Sequence, residues 1–180
     1  WYSALIRQIT EILQGIPSIV LGIIAYLWIV KNVTNGFSAF AGSVALAIMM
    51  LPMIIRSTEE TMKMIPAEIR EAAYALGTPY HRIILQVLIP SGFSGLSTGI
   101  LLSLSRIIGE TAPLMMTALG SSAVNLDITK PVSAVPLLIW EFYNDPNMVK
   151  MVWSSSLFLM MLVLALNITS RTITLRNKQA

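Results

Sequence analysis

Residues 66–90 read PAEIREAAYALGTPYHRIILQVLIP, and this patterned polar segment determines how the rest of the chain is interpreted. Pro66 suits the first position of a helix, and Glu68 lies in the first turn, where the helix dipole favours an anion. Gly77 suits the left-handed residue that ends a helix, and Pro79 suits the start of the next one. The pattern therefore predicts two short helices joined by a bend.

The second of these helices runs toward Ile89, and we expect Pro90 to stop or kink it because proline lacks an amide hydrogen and crowds the preceding turn. Ala72, Ala73 and Gly77 are small, so the backbone of a partner protein can approach this segment closely. On local chemistry alone, the segment is interpreted as an amphipathic surface helix–turn–helix between two membrane spans.

The composition is that of a membrane protein. Of the 180 residues, 55% are hydrophobic and only 12% are charged, and the mean hydropathy is +0.72. Soluble domains carry about 25% charged residues. The net charge of +3 is too small to indicate a nucleic-acid partner. The absence of cysteine excludes a disulfide framework, a thiolate metal site and a cysteine nucleophile.

Four apolar stretches are long enough to cross a bilayer, which needs about 20 helical residues. We expect an all-α membrane protein, a polytopic transmembrane helix bundle that forms one domain over residues 1–180. The expected segments are spans at residues 15–31, 37–55, 91–119 and 151–170, a cytoplasmic loop at residues 56–90 and an external loop at residues 120–150. Because the chain begins with Trp1 and not with methionine, we expect a fragment.

Small residues recur at four-residue spacing in two of these spans. Such spacing lets helices pack closely in lipid. The two predicted stripes are Ala39, Ser43 and Ala47 in the second span and Ser91, Gly95, Gly99 and Ser103 in the third.

The distribution of lysine and arginine predicts the orientation of the chain, because cytoplasmic loops carry an excess of both. Eight of the 12 basic residues fall on the side that holds residues 56–82, namely Arg7, Arg56, Lys63, Arg70, Arg82, Arg171, Arg176 and Lys178. The opposite side holds Lys31, Lys130 and Lys150, and Arg106 remains inside the membrane. The polar segment is therefore predicted to be cytoplasmic.

Arg106 and Glu110 interrupt the third span, and their spacing predicts that they share one helix face. Charged groups at membrane depth cost about 2.5–3.5 kcal/mol each on insertion scales. One interpretation is an internal ion pair. The other is a translocation path in which Arg106 meets an anionic substrate and Glu110 holds it until the substrate competes, since a guanidinium matches oxyanions such as phosphate. Gly109 and Pro113 favour a bent or broken helix here.

The polar segment resembles the EAA loop of ABC import permeases. The matching pattern is E-A-A, three residues, G, nine residues and an apolar pair before proline: Glu71, Ala72, Ala73, Gly77, Val87, Ile89 and Pro90. In that family the loop is cytoplasmic and docks into a cleft of the ATP-hydrolysing subunit. The resemblance therefore implies that Glu71, Ala72, Ala73, Gly77 and Pro90 couple this chain to ABC ATPase subunits.

Two further segments, GIPSIV at residues 15–20 and RIIGETAPL at residues 106–114, resemble the permease subunits of phosphate-specific ABC importers. These importers have an A-type and a C-type permease subunit, and the resemblance is greater to the A-type subunit. The resemblance covers essentially the whole chain. It implies the type I importer permease fold with about six spans in the full chain, four of them here. It also implies a translocation pathway at Arg106, Glu110 and Thr111.

The same resemblance implies the partners and the location. They are a second permease subunit, ATPase subunits at the cytoplasmic loop, an external phosphate-binding protein, membrane lipid and the phosphate ion. The implied location is the cytoplasmic (inner) membrane of a prokaryote. No cofactor or metal is expected on this chain, since ATP and magnesium are used by the partner ATPase.

Rival functions fit the sequence less well. His81 is the only histidine and belongs to no H-E-x-x-H motif, and there is neither a P-loop nor a G-x-S-x-G motif, so we do not expect an enzyme. A channel or a structural membrane subunit explains the spans but not the EAA-like pattern. Sulfate, molybdate or phosphonate remain alternative cargoes, because Arg106 alone does not distinguish these oxyanions.

Overall fold

The chain folds into nine α-helices within residues 2–121, 123 and 125–177, which the computed structural model describes, with side chains described to residue 172. In chain order they are α1 (Tyr2–Gly15), α2 (Ser18–Ala25), α3 (Ala39–Lys63), α4 (Ala67–Ala75), α5 (Tyr80–Arg82), α6 (Ile89–Ile108), α7 (Ala112–Thr117), α8 (Val135–Tyr143) and α9 (Val149–Asn177). π-helical turns at Tyr26–Val30 and Ile83–Leu88 follow α2 and α5. Lys178 and the Arg176 side chain, both counted among the eight basic residues on the predicted cytoplasmic side, lie outside the described part of the chain.

Three helical segments of the described chain are long and apolar enough to cross a membrane, namely Ala39–Lys63, Tyr80–Ile108 and Pro146–Thr172. The helices Tyr2–Gly15 and Ser18–Val30 are together long and apolar enough to cross a membrane, but they are bent by 101° relative to each other. If this pair is one span, the described chain has four candidate spans. Pro17 lies at this bend with extended backbone, since its φ is −58° and its ψ is 138°. Residues 15–31 therefore hold α2 and its π-helical turn, while α1 leaves at a steep angle.

Two helices do not end where the predicted spans end. The second span was expected to end at residue 55, but α3 continues to Lys63. Ion pairs one turn apart stabilise this extension, since Arg56 bonds Glu60 at 3.2 Å and Lys63 bonds Glu59 at 2.7 Å. The third span was expected over residues 91–119, but α6 ends at residue 108 and the chain becomes helical again only in α7.

The bend after α4 has the geometry that the sequence predicts. Gly77 has a φ of +71°, in the left-handed region. Its N–H donates to the Tyr74 carbonyl at 2.9 Å, and the Thr78 N–H donates to the Ala73 carbonyl at 3.3 Å. This pair of bonds is a Schellman motif, which satisfies carbonyls at the helix end. Pro66, however, precedes the first helical residue of α4 and does not occupy it.

Pro90 does not stop the second helix of the polar segment, which was one of its two predicted effects. α5, its π-helical turn and α6 form one segment, Tyr80–Ile108. The Ile89 N–H donates to the Ile84 carbonyl five residues back. This wider turn gives the proline ring room that a regular α-helical turn lacks. The second helix of the polar segment therefore runs directly into the third span.

α3 and α6 approach closely because glycine lines α6 where the helices meet. A Cβ on Gly99 would overlap the Ser57 side chain, and a Cβ on Gly95 would lie 2.5 Å from the Thr61 methyl carbon. Ser103, one turn further along α6, is also buried. Three of the four residues in the predicted small-residue stripe of α6, namely Gly95, Gly99 and Ser103, therefore lie on a face that packs inside the chain.

The two predicted stripes match the contacts within this chain only in part. Ser91 is exposed, and Gly92 takes its place against α3, with its added Cβ only 2.9 Å from the Met62 terminal methyl. On α3, Ser43 and Ala47 are exposed, while the buried small face, which includes Gly42, meets α7. Spacing alone did not select the correct face, because small residues occur on several faces of α3.

The segment at residues 120–150 was expected to be a loop, but it contains α8, which packs on α9, and it also caps α3. The Ala39 N–H donates to the Lys130 carbonyl at 3.0 Å, and the Phe40 N–H donates to the Ile128 carbonyl at 2.9 Å. The Ser38 hydroxyl accepts from the Ala41 N–H at 3.2 Å. These bonds satisfy amide groups that every helix start leaves open.

We expect Gly99→Ala to destabilise the helix bundle, because the added methyl group overlaps Ser57 across the α3–α6 contact. Overpacking of this kind costs about 1–3 kcal/mol. Thermal unfolding in detergent should show a lower Tm than the wild type. Gly36→Ala is the matched control, since its Cβ would meet nothing within 4 Å. Equal Tm values for Gly99→Ala and the wild type would contradict this packing.

We expect the turn at Asp127 to weaken in acid. The Thr129 hydroxyl and amide donate to the Asp127 carboxylate at 2.7 and 3.0 Å. These bonds, led by the hydroxyl and aided by Lys130, hold the pKa of Asp127 below its ordinary value. A lowered folded-state pKa stabilises the turn above the unfolded pKa, and this contribution disappears as pH falls through the folded pKa. The Tm difference between wild type and Asp127→Asn should therefore be larger at about pH 7 than at about pH 3. A pH-independent difference would contradict this.

Candidate functional site

An open cavity of about 520 Å³ lies where the α1–α2 bend faces the middle of α3 and the end of α6. Its lining includes apolar residues, among them Pro52 of α3. Its polar side chains are Gln14, Ser18, Arg106 and Glu110. The cavity therefore brings the two predicted intramembrane charges together with polar residues from the first bend.

Arg106 presents its guanidinium to this cavity without a carboxylate partner in the described part of the chain. Its side chain is exposed, and Nη1 lies 3.7 Å from the Met53 sulfur on α3. The ion pairs recorded among the described residues are Arg7–Glu59, Arg56–Glu60, Lys63–Glu59 and Lys130–Asp127. The internal ion pair between Arg106 and Glu110, one of the two sequence interpretations, is therefore absent here.

The chain between Arg106 and Glu110 explains why they do not pair. α6 ends at Ile108, and Gly109 follows with its N–H donating to the Arg106 carbonyl at 3.2 Å. The Glu110 N–H then donates to the Ile107 carbonyl at 3.0 Å, and this three-residue spacing tightens the last turn instead of continuing the α-helix. The expectation of one shared helix face is wrong, whereas the predicted break at Gly109 is present.

Thr111 does not line the cavity with Arg106 and Glu110. It precedes α7 and lines a separate cleft of about 450 Å³ with Trp140 and Tyr143 of α8. α7 is held in place by close packing, since a Cβ on Gly22 would lie 2.7 Å from the Pro113 Cα. The structure therefore brings together two of the three predicted pathway residues.

The predicted coupling residues lie at the start of the Tyr80–Ile108 segment and on α4. Glu71 and Ala72 are exposed, but Ala73 is buried, and α4 packs against the π-helical turn Ile83–Leu88. The α4 surface thus leaves Glu71 and Ala72 accessible to a partner, while Ala73 fixes the helix to its own chain. Pro90 is exposed on α6, and a Cβ at Gly77 would meet nothing within 4 Å.

The two predicted sites lie at opposite ends of one helical segment. Of the predicted coupling residues, Glu71, Ala72, Ala73 and Gly77 precede Tyr80, and Arg106 is near Ile108. At a rise of 1.5 Å per residue, 29 helical residues span about 40 Å. The coupling segment and the cavity are therefore far apart but joined by continuous helix.

Gln14 is a cavity residue that the sequence analysis missed. Its side-chain Nε2 donates to the Pro52 carbonyl at 3.3 Å, which ties the end of α1 to α3. It also lines a second, smaller cleft of about 180 Å³ whose walls carry the Arg7–Glu59 ion pair. The available signal was an uncharged polar residue directly before the Gly15–Pro17 break.

The chain matches a known family over almost its whole length. Residues 1–177 match the family described as binding-protein-dependent transport system inner membrane component. The phosphate transport system permease protein PstA of Xylella fastidiosa (strain 9a5c) is 42% identical over 178 residues, which cover 98% of this chain and 62% of that protein. PstA of Yersinia pestis is 40% identical over 180 residues, which cover 99% of this chain and 61% of that protein. The chain thus spans about three fifths of these relatives.

A solved structure has the same fold. The inward-facing MetNI methionine ABC transporter aligns with a TM-score of 0.79, covering 96% of this chain and 74% of the matched chain. The sequence identity is 20%, so this similarity concerns the fold alone. It agrees with the predicted all-α bundle of the ABC importer permease kind.

We expect Gly77→Ala to loosen the end of α4. A side chain in the left-handed region costs roughly 1–2 kcal/mol, so the hydrogen bonds of Gly77 and Thr78 should open more often. Amide hydrogen exchange at residues 77 and 78 should accelerate about 5- to 30-fold. Gly36→Ala adds the same methyl group without a positive φ and should leave these amides unchanged. Equal protection in both variants would show that Gly77 is not needed for the turn.

Proposed function

The chain belongs to the family of binding-protein-dependent transport system inner membrane components, and from this we propose that it is a permease subunit that imports inorganic phosphate in an ATP-driven complex. The observation that carries the proposal is the Arg106 guanidinium, which faces a cavity of about 520 Å³ and has no carboxylate partner among the described residues. A guanidinium binds phosphate oxygens through two parallel hydrogen bonds. The names of the relatives support the same cargo, since they are phosphate transport permeases.

Glu110 favours phosphate over sulfate and molybdate. A carboxylate is only an acceptor, so it repels a fully deprotonated oxyanion but accepts a hydrogen bond from a phosphate oxygen that carries a proton. Phosphate keeps such a proton at neutral pH, whereas sulfate does not. Arg106 and Glu110 on one cavity therefore match an anion that presents both acceptor oxygens and a hydroxyl. An organic phosphonate that retains a proton is the second candidate.

We assign the coupling role to α4 and the bend after it. Glu71 and Ala72 are exposed there, together with Leu76, which is 85% exposed. ATPase subunits of the complex would dock on this surface and hydrolyse ATP with magnesium. The buried Ala73 fixes α4 to its own chain, and α4 packs against the π-helical turn that precedes α6. A displacement of α4 would thus reach the base of the helix that carries Arg106.

The proposed mechanism is alternating access. When the ATPase subunits close, α4 moves with them and α6 tilts, which changes the side of the membrane to which the cavity opens. An external phosphate-binding protein would deliver the anion, and a second permease subunit would complete the pathway. Because the cavity is open along one side in this chain, a partner subunit is well suited to supply the missing wall.

We expect Arg106→Gln to reduce phosphate uptake by the assembled complex about 10- to 100-fold, since hydrogen bonds to charged groups contribute roughly 1.5–3 kcal/mol. Uptake of radioactive phosphate into proteoliposomes that contain ATP is the measurement. Assembly with the ATPase subunits should remain, as judged by co-purification. Lys150→Gln removes an exposed cation outside the cavity and should transport normally. Full transport by Arg106→Gln would contradict the proposal.

A further inference from the structure

We propose that Gln14 is a gate between two cavities and that the smaller one, on the predicted cytoplasmic side, is the exit route for the anion at Arg106. The proposal rests on the function proposed above. It adds a residue that carries no charge and that the matching motifs do not include. The smaller cavity is called the exit cavity below, and the one that holds Arg106 is called the central cavity.

The two cavities share Gln14 and follow one another along the same two helices. On α1, Leu13 lines the central cavity and Glu11 lines the exit cavity. On α3, Pro52 lines the central cavity and Arg56 lines the exit cavity. From the central cavity, the exit cavity is therefore reached toward the beginning of α1 and toward the end of α3. The exit cavity lies beside the polar residues at the end of α3. Gln14 stands at the junction.

The contact that closes the junction is weak enough to open. The Gln14 amide donates to the Pro52 carbonyl at 3.3 Å, which is long for an N–H···O bond. It is the only hydrogen bond recorded for this side chain among the described residues. A single neutral hydrogen bond contributes about 0.5–1.5 kcal/mol, which thermal motion or a helix shift can overcome.

The position of Gln14 in the chain links this contact to helix movement. Gln14 directly precedes the break at Gly15–Pro17, where α1 and α2 are bent by 101°. A second tie holds α1 to α3 nearby, since Arg7 on α1 pairs with Glu59 on α3. A change in the bend angle, or a shift of α3, would separate the Gln14 amide from the Pro52 carbonyl and connect the cavities.

The charges of the exit cavity suit transient passage. Its cations are Arg7, Arg56 and Lys63, and each is paired with Glu59 or Glu60. The cationic side chains are 57–64% exposed, and ion pairs of this kind are individually weak. An anion that passes Gln14 therefore meets guanidinium and ammonium groups that can exchange partners, while the neighbouring carboxylates prevent tight retention.

Cysteine accessibility in the assembled, full-length transporter tests the gate, because residues 1–180 contain no cysteine. Ser18→Cys reports on the central cavity, and Glu11→Cys reports on the exit cavity. A membrane-impermeant, negatively charged thiol reagent is added to the cytoplasmic face of inside-out vesicles. Mass spectrometry then measures the modification rate of each cysteine in this chain, with and without Gln14→Ala.

We expect Gln14→Ala to accelerate modification of Ser18→Cys about 2- to 10-fold, as the loss of one hydrogen bond predicts. Modification of Glu11→Cys should stay the same. Gln8→Ala is the matched control, since Gln8 is an exposed glutamine of α1 that lines neither cavity, and it should change neither rate.

An unchanged rate at Ser18→Cys in the Gln14→Ala background would overturn the gate. So would a parallel acceleration at Ala45→Cys, because this position is buried in α3 and its modification would report general loosening of the bundle. The assay uses neither phosphate nor ATP. Its failure is therefore distinguishable from a failure of the proposed phosphate transport, which the uptake of Arg106→Gln tests separately.

Discussion

The close contact between α3 and α6 is the constraint on which the arrangement of the chain depends. In lipid, apolar side chains gain little by leaving the solvent, so helices associate through close packing. Gly95 and Gly99 supply this closeness, because their missing side chains leave space for Thr61 and Ser57. The Thr61 hydroxyl is satisfied within its own helix, since it donates to the Ser57 carbonyl at 2.8 Å. The contact is thus tight without leaving the Thr61 hydroxyl unpaired.

This contact determines the positions of both candidate sites. α3 contributes Pro52 to the central cavity and Glu59 to the ion pairs below it, while α6 contributes Arg106. The π-helical turn at Ile83–Leu88 keeps α6 continuous with the coupling bend despite Pro90. Under the proposed function, a displacement of α4 would be carried along this continuous helical segment toward the cavity.

The sequence predicted features that depend on a few adjacent residues. The left-handed Gly77 and the helix break at Gly109 follow from local backbone chemistry, and the glycines of α6 follow from spacing. It failed where the outcome depends on long-range packing. Small residues on α3 lie on several faces, and only the location of α7 decides that Gly42 is buried. Gln14 was missed because its partner is a backbone carbonyl 38 residues away.

Arg106, which has no carboxylate partner among the described residues, affects both the stability of the fold and the proposed function. An ionised side chain at membrane depth is costly unless it reaches a counter-charge, water or a cavity. The break at Gly109 removes Glu110 from the helix face that would have supplied the counter-charge. The open cavity is then the feature that lets the guanidinium keep its hydration. In the proposed function, a phosphate would replace that water as an ionic partner, so a guanidinium without a carboxylate partner among the described residues would gain one from the substrate.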